Sequence, residues 1–122
     1  VKKSLLPDPG DHEAEVTADE FRKIELRTAR VLDVEPVANA NKLYKLSLDL
    51  GYERRTIVSG IREFYKPEEL IGKSIVVICN LKPAKLRGVV SNGMLLAAES
   101  PDGGELALLT LDQEITPGSR VH

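Results

Sequence analysis

From Lys42 to Leu50 the chain alternates without a break, with Tyr44, Leu46, Leu48 and Leu50 on one face and Lys45, Ser47 and Asp49 on the other. A period of two marks a half-buried strand, because a helix of 3.6 residues per turn would scatter these side chains around its axis. A strand needs partners, and the flanking sequence supplies them. Leu26 to Val34 alternates imperfectly and ends before Pro36, and Gly51-Tyr52-Glu53 turns the chain into a returning strand over Arg54 to Ser59. Lys73 to Cys79, Gly93 to Ala98 and a short run from Leu106 to Thr110 are predicted as further strands. Helical signals are brief. Thr17-Ala18-Asp19-Glu20 is a capping box, followed by Phe21 and Ile24 on one face. Pro67-Glu68-Glu69-Leu70 reads as one turn with Pro in its first position.

The 122 residues suit one domain, and 42% hydrophobic content is enough for one core. That core has to be aliphatic: there is no Trp, and the aromatics are Phe21, Tyr44, Tyr52, Phe64 and Tyr65. A surface on which several bases stack on exposed rings is thereby disfavoured. Tyr44 is expected in the core. Cys79, the single cysteine, lies in the apolar run Ile75 to Cys79 and reads as a buried, inert thiol in a reducing cytosol. No apolar stretch approaches a membrane span and no signal peptide is visible, so a cytoplasmic protein is expected. Residues 1–15, broken by Pro7, Pro9 and Gly10, read as a flexible acidic linker or tail, with the domain and a C-terminal extension over 16–122. The start at Val1 reads as a fragment of a longer protein.

The formal net charge of −2 conceals an uneven distribution. Acids crowd the stretch from Pro7 to Glu25 and again from Glu99 onward. Asn80 to Ala98 contains Lys82, Lys85 and Arg87 and no acid. A local basic patch is able to hold phosphates whatever the net charge.

Five strands with a helical turn between the third and fourth match an all-β oligonucleotide/oligosaccharide-binding (OB) barrel; a two-sheet sandwich also fits this order. The OB barrel carries ligands on strands two and three and on the loops joining strands one to two and four to five. Those are here Lys42–Ser59, Glu35–Asn41 and the acid-free stretch Leu81–Asn92.

Catalytic signals are lacking. His12 lies in the tail and His122 is the last residue, so a Cys/His metal set is absent. Ser59-Gly60 has no nucleophile-elbow context, Glu68-Glu69 read as solvated, and there is no glycine-rich phosphate loop. No enzyme, cofactor or metal is expected for this chain. The segment Asn80 to Met94 offers binding chemistry instead. Lys82, Lys85 and Arg87 sit on a mount stiffened by Pro83, Ser91 and Asn92 are compact donors and acceptors, and Met94 is a flexible apolar contact. An ordinary solvated loop with Met94 in the core is the competing reading. Arg54 and Arg55 point to opposite faces of one strand, so at most one faces a ligand.

This segment resembles the tRNA-binding domain family in its run Asn80-Leu81-Lys82-Pro83, Lys85-Leu86-Arg87-Gly88-Val89 and Ser91-Asn92-Gly93-Met94-Leu95-Leu96-Ala97. The blocks Leu26–Val31, Asn41–Leu46, Arg54–Ile61 and Tyr65–Leu70 are similar to the same family, which includes the C-terminal domain of methionyl-tRNA synthetases. The resemblance implies an OB fold that grips the outside of tRNA by shape, and a homodimer. Carried over residue by residue, it implies contacts from Asn41, Lys42, Lys82, Lys85, Arg87, Ser91, Asn92 and Met94. Asn41 stands where relatives often have Asp, and Asn92 where they often have Gln. The leading expectation is a tRNA-binding appendix of methionyl-tRNA synthetase that also dimerises it, with Leu106–Leu109 as a candidate dimer segment. The alternatives are a free-standing tRNA-binding protein and a CsaA-type export chaperone that binds peptides.

Overall fold

The computed structural model describes Gly10 and residues 12–122; Val1–Pro9 and Asp11 of the expected tail lie outside the described residues. The chain runs α1 (Ala18–Arg22), β1 (Leu26–Pro36), β2 (Tyr44–Asp49), β3 (Arg54–Ser59), α2 (Pro67–Leu70), β4 (Ser74–Ile78), β5 (Ala84–Leu86), β6 (Val89–Ser91), β7 (Met94–Leu95), β8 (Ala97–Glu99), β9 (Leu106–Leu108) and β10 (Arg120–Val121). The capping box is present, Thr17 Oγ1 accepting from Glu20 N–H while Glu20 accepts from Thr17 N–H.

Strand order β3-β2-β1-β4-β7, antiparallel throughout, forms one curled sheet with β10 added to β1. Its curl centres on β1. Leu26 to Arg30 pair with β4, whereas Arg30 to Pro36 pair with β2, and an extra residue, Leu32, bulges between Val31 and Asp33. A bulge of this kind bends the strand and raises its twist, which lets one strand serve two halves of a barrel. The free edge of β3 is met by the last residue of β6 and the one after it: Ser91 Oγ accepts from Val58 N–H at 2.9 Å and Asn92 N–H donates to Thr56 O at 2.9 Å. The architecture is the expected all-β OB barrel with short helices.

Leu46, Leu48, Leu50, Ile57, Ile75 and Val77 are fully buried in an aliphatic core, each worth about 1.5–3 kcal/mol of transfer free energy. Tyr44 belongs to the core, its hydroxyl donating to Tyr65 O at 2.7 Å. Leu70 of α2 is fully buried in the same core. Cys79 is buried, and burial pushes its thiol pKa up, as expected of an inert thiol.

Three elements differ from the sequence reading. The segment read as a loop between the fourth and fifth strands contains the β5–β6 hairpin. The single strand expected over Gly93–Ala98 divides at Leu96, with β7 pairing β4 and β8 pairing β9. Near the C-terminus β10 covers the start of β1 that β2 leaves unpaired. Leu106 and Leu108 of the candidate dimer segment pack on the core, and Leu109 is exposed.

Candidate nucleic-acid interface

The β5–β6 hairpin turns through Leu86-Arg87-Gly88-Val89, with Arg87 at φ 49° and Gly88 at φ 83°. Positive φ at both central residues is the turn whose twist matches an antiparallel pair. Gly88 adopts it freely. Arg87 does so at about 1 kcal/mol and is carried to the tip of the hairpin. Lys82 and Pro83 lead in exposed, and Lys85 is exposed opposite Val90. None of Lys82, Lys85 and Arg87 takes part in an ion pair among the described residues.

The loop between β1 and β2 is folded on itself, Val37 N–H donating to Leu43 O at 3.2 Å and Leu43 N–H to Ala40 O at 3.1 Å. Asn41 and Lys42 are exposed on it. Sequence reasoning missed the residue that holds this loop down: Arg62 donates through its backbone N–H to Lys42 O at 3.2 Å and through Nη1 to Ala40 O at 3.1 Å. A second small cluster of Val37, Ala40 and Val58, with Leu43 and Val89 against it, ties the loop and the hairpin to the same stretch of β3. The two expected basic elements therefore share one apolar mount.

The Ser91–Met94 run is placed differently residue by residue. Ser91 is buried, its hydroxyl accepting from Val58 N–H and donating to Gly93 O at 3.0 Å, so it helps to hold the barrel seam. The Asn92 side chain is exposed while its backbone is fixed between Thr56 O and the Arg55 guanidinium. Gly93, at φ 134°, passes so close to β4 that a Cβ would sit 2.8 Å from Ile78 O. Met94 is exposed on the surface, not in the core. Arg55 is drawn into the seam, donating to Cys79 O at 2.6 Å and pairing with Glu53 at 3.2 Å. Arg54 is exposed and makes no ion pair among the described residues.

A cleft of about 780 Å³ lies between the β1–β3 surface and the chain entering the hairpin. Asp33, Ser47 and Thr56 form a row across three adjacent strands on one side, and Leu81 and Pro83 form the other. No group of three or more His, Cys, Asp or Glu able to hold a metal occurs among the described residues. No helix there is long and apolar enough to cross a membrane.

Residues 26–120 match the family model described as "Putative tRNA binding domain". A methionine–tRNA ligase of Thermotoga maritima is 59% identical over 106 residues, which is 87% of this chain and 16% of that relative. The chain thus spans a small part of the relative's length. Among solved structures, a MetRS-related protein from Pyrococcus horikoshii superposes with a TM-score of 0.86 at 41% identity, over 90% of this chain and 100% of that one. The chaperone CsaA from Bacillus anthracis gives 0.80 at 26% identity, over 89% of this chain and 100% of that one. The matched span runs from the first residue of β1 to β10, taking in the barrel, the hairpin and the seam. The chain belongs to the tRNA-binding domain family.

Proposed function

We propose that this chain is the non-catalytic tRNA-binding appendix of a cytosolic methionyl-tRNA synthetase, with residues 1–15 as its tether and 16–122 as the binding domain. The observation that carries this reading is the set of exposed cations Lys82, Lys85 and Arg87, which form no ion pair among the described residues, on a hairpin that shares its apolar mount with Asn41 and Lys42. Asn92 and Met94 add polar and apolar contacts beside them, and Ser91 positions the run. Each cation that neutralises a phosphate releases a counterion, so binding is weak per contact, salt-sensitive and largely indifferent to sequence. Such a grip raises the concentration of tRNA near a catalytic body without doing chemistry.

Two copies acting together would gain by avidity. An apolar groove lined by Phe21, Ile24 and Val121 supports a homodimer, with a second copy of this chain as its occupant. Sedimentation of the wild type and of Phe21→Glu tests it: a dimer that becomes monomeric is expected, and a monomeric wild type contradicts it. The free-standing alternative draws on the Pyrococcus protein, whose whole length this chain covers.

Gel shift with unfractionated tRNA, run beside an extended unfolded peptide as competitor, tests the ligand class. Retention of tRNA that the peptide does not displace is expected. Peptide binding without tRNA binding would transfer the chain to the chaperone reading that the CsaA likeness allows.

A further inference from the structure

A phosphate-gripping surface has no use for a carboxylate, yet Asp33 is exposed in the cleft beside the basic hairpin. It forms no ion pair among the described residues, and neither does Arg54, which lines the same cleft. The β1 bulge brings Asp33 there: the extra residue Leu32 puts two successive side chains, Leu32 and Asp33, along one cleft wall. Bulges are concentrated where a side chain has to be re-aimed near a site. The opposite wall holds Leu81, which is 45% exposed and so leaves a large apolar surface in water when the cleft is empty. A volume of about 780 Å³ falls within the roughly 300–1,000 Å³ typical of small-ligand pockets.

We propose that this cleft takes one unstacked guanine of the bound RNA. Its ring lies between Leu32 and the Leu81–Pro83 wall, its Watson–Crick edge on Asp33 and its phosphate on Arg54. Single-stranded RNA is commonly read by splaying a base out and bonding its edge. An ionised carboxylate only accepts hydrogen bonds and prefers two parallel donors. Among the four bases guanine alone presents two adjacent donors, N1–H and N2–H, on its Watson–Crick edge. The acceptor beside them, O6, is complemented by the exposed Asn92 amide, whose backbone is fixed by Thr56 O. Aliphatic walls do the work of stacking rings in a chain with so few aromatics. The site deepens the tRNA-binding reading by adding one base-specific contact to a shape-and-charge grip, and it rests on that reading.

Fluorescence anisotropy of the full chain with the labelled pentaribonucleotides UUGUU, UUAUU, UUCUU and UUUUU tests it. UUGUU binds tightest, by on the order of tenfold, the discrimination one bidentate base contact supplies. Asp33→Asn, which sets a donor against a donor, and Asp33→Ala both abolish the preference and weaken UUGUU. Removing an acid from a surface that grips only phosphate would strengthen binding instead. Tighter binding by Asp33→Ala, or equal affinity for the four pentamers, overturns the inference. If tRNA binds while the pentamers go undistinguished, the guanine site falls and the tRNA grip stands. If the pentamers are ranked as expected but intact tRNA is not held, the guanine site stands and the tRNA reading falls. An extended peptide that displaces UUGUU no better than a scrambled polymer of equal charge supports the site; one that occupies the cleft where no pentamer binds overturns it.

Discussion

Ser91, Gly93 and Arg87 show how differently residues of one motif contribute. Ser91 gives the buried Val58 N–H its acceptor; Ser91→Ala leaves that donor unsatisfied, at about 1–3 kcal/mol. Gly93→Ala adds backbone overlap at Ile78 O and destabilises by about 3 kcal/mol or more. Both losses are expected in urea unfolding followed by far-ultraviolet circular dichroism, with tRNA affinity of the folded fraction nearly unchanged. Arg87 has the opposite profile. Held at φ 49° and exposed, it is strained in the turn, so Arg87→Asn, which tolerates that conformation, is expected to gain up to about 1 kcal/mol in the same assay while weakening tRNA binding. The sequence marks all three residues as one binding run, because hydroxyl and glycine look alike at a seam and at a ligand. Burial separates them, and no local pattern encodes it. Glu25 adds a pH dependence. The hydrogen bond from Arg27 Nε, 2.6 Å long, lowers the Glu25 pKa from its ordinary 4.5. Its stabilising effect is therefore complete above about pH 4.5 and is lost as pH falls through the depressed folded value. Glu25→Gln should lose less stability than the wild type between pH 7 and pH 3.5; an identical loss would contradict this assignment.

At the scale of elements, β2, β3 and β4 were legible because each carries buried apolar residues, in β2 with clean alternation, and they are bounded by turn residues. The β5–β6 hairpin was not. Its strands are three residues long and mostly exposed, so they write no hydrophobic period into the sequence. The C-terminal β10 was hidden for the same reason, since it is only two residues long. Its segment nevertheless matters. Buried Thr28 exchanges four hydrogen bonds with residues 116–119, from 2.7 to 3.1 Å. At about 1 kcal/mol each, truncation before Thr116 should lower unfolding free energy by roughly 3–5 kcal/mol. Urea titration of the truncated chain checks this, and an unchanged midpoint would mean the segment is only draped on the barrel.

For the molecule as a whole, the arrangement of charge governs binding more than its sum. A chain of net charge −2 has to confine any attraction for a polyanion to one surface, and the acid-free hairpin, whose cations form no ion pair among the described residues, is the surface proposed for it. The fold class and the clustering of Lys82, Lys85 and Arg87 could be read from the sequence; the shared apolar mount of Val37, Ala40, Val58 and Val89 could not, because its members come from three distant segments. We propose Lys82, Lys85 and Arg87 as the phosphate grip. This assignment is tested most directly by the slope of log affinity for tRNA against log salt, in the wild type and in Lys82→Ala/Lys85→Ala/Arg87→Ala. With each neutralised phosphate contributing about −0.7 to −0.9 to the slope, the triple variant should be shallower by roughly 2 and bind at least tenfold more weakly at low salt. An unchanged slope and affinity in the variant would contradict the account.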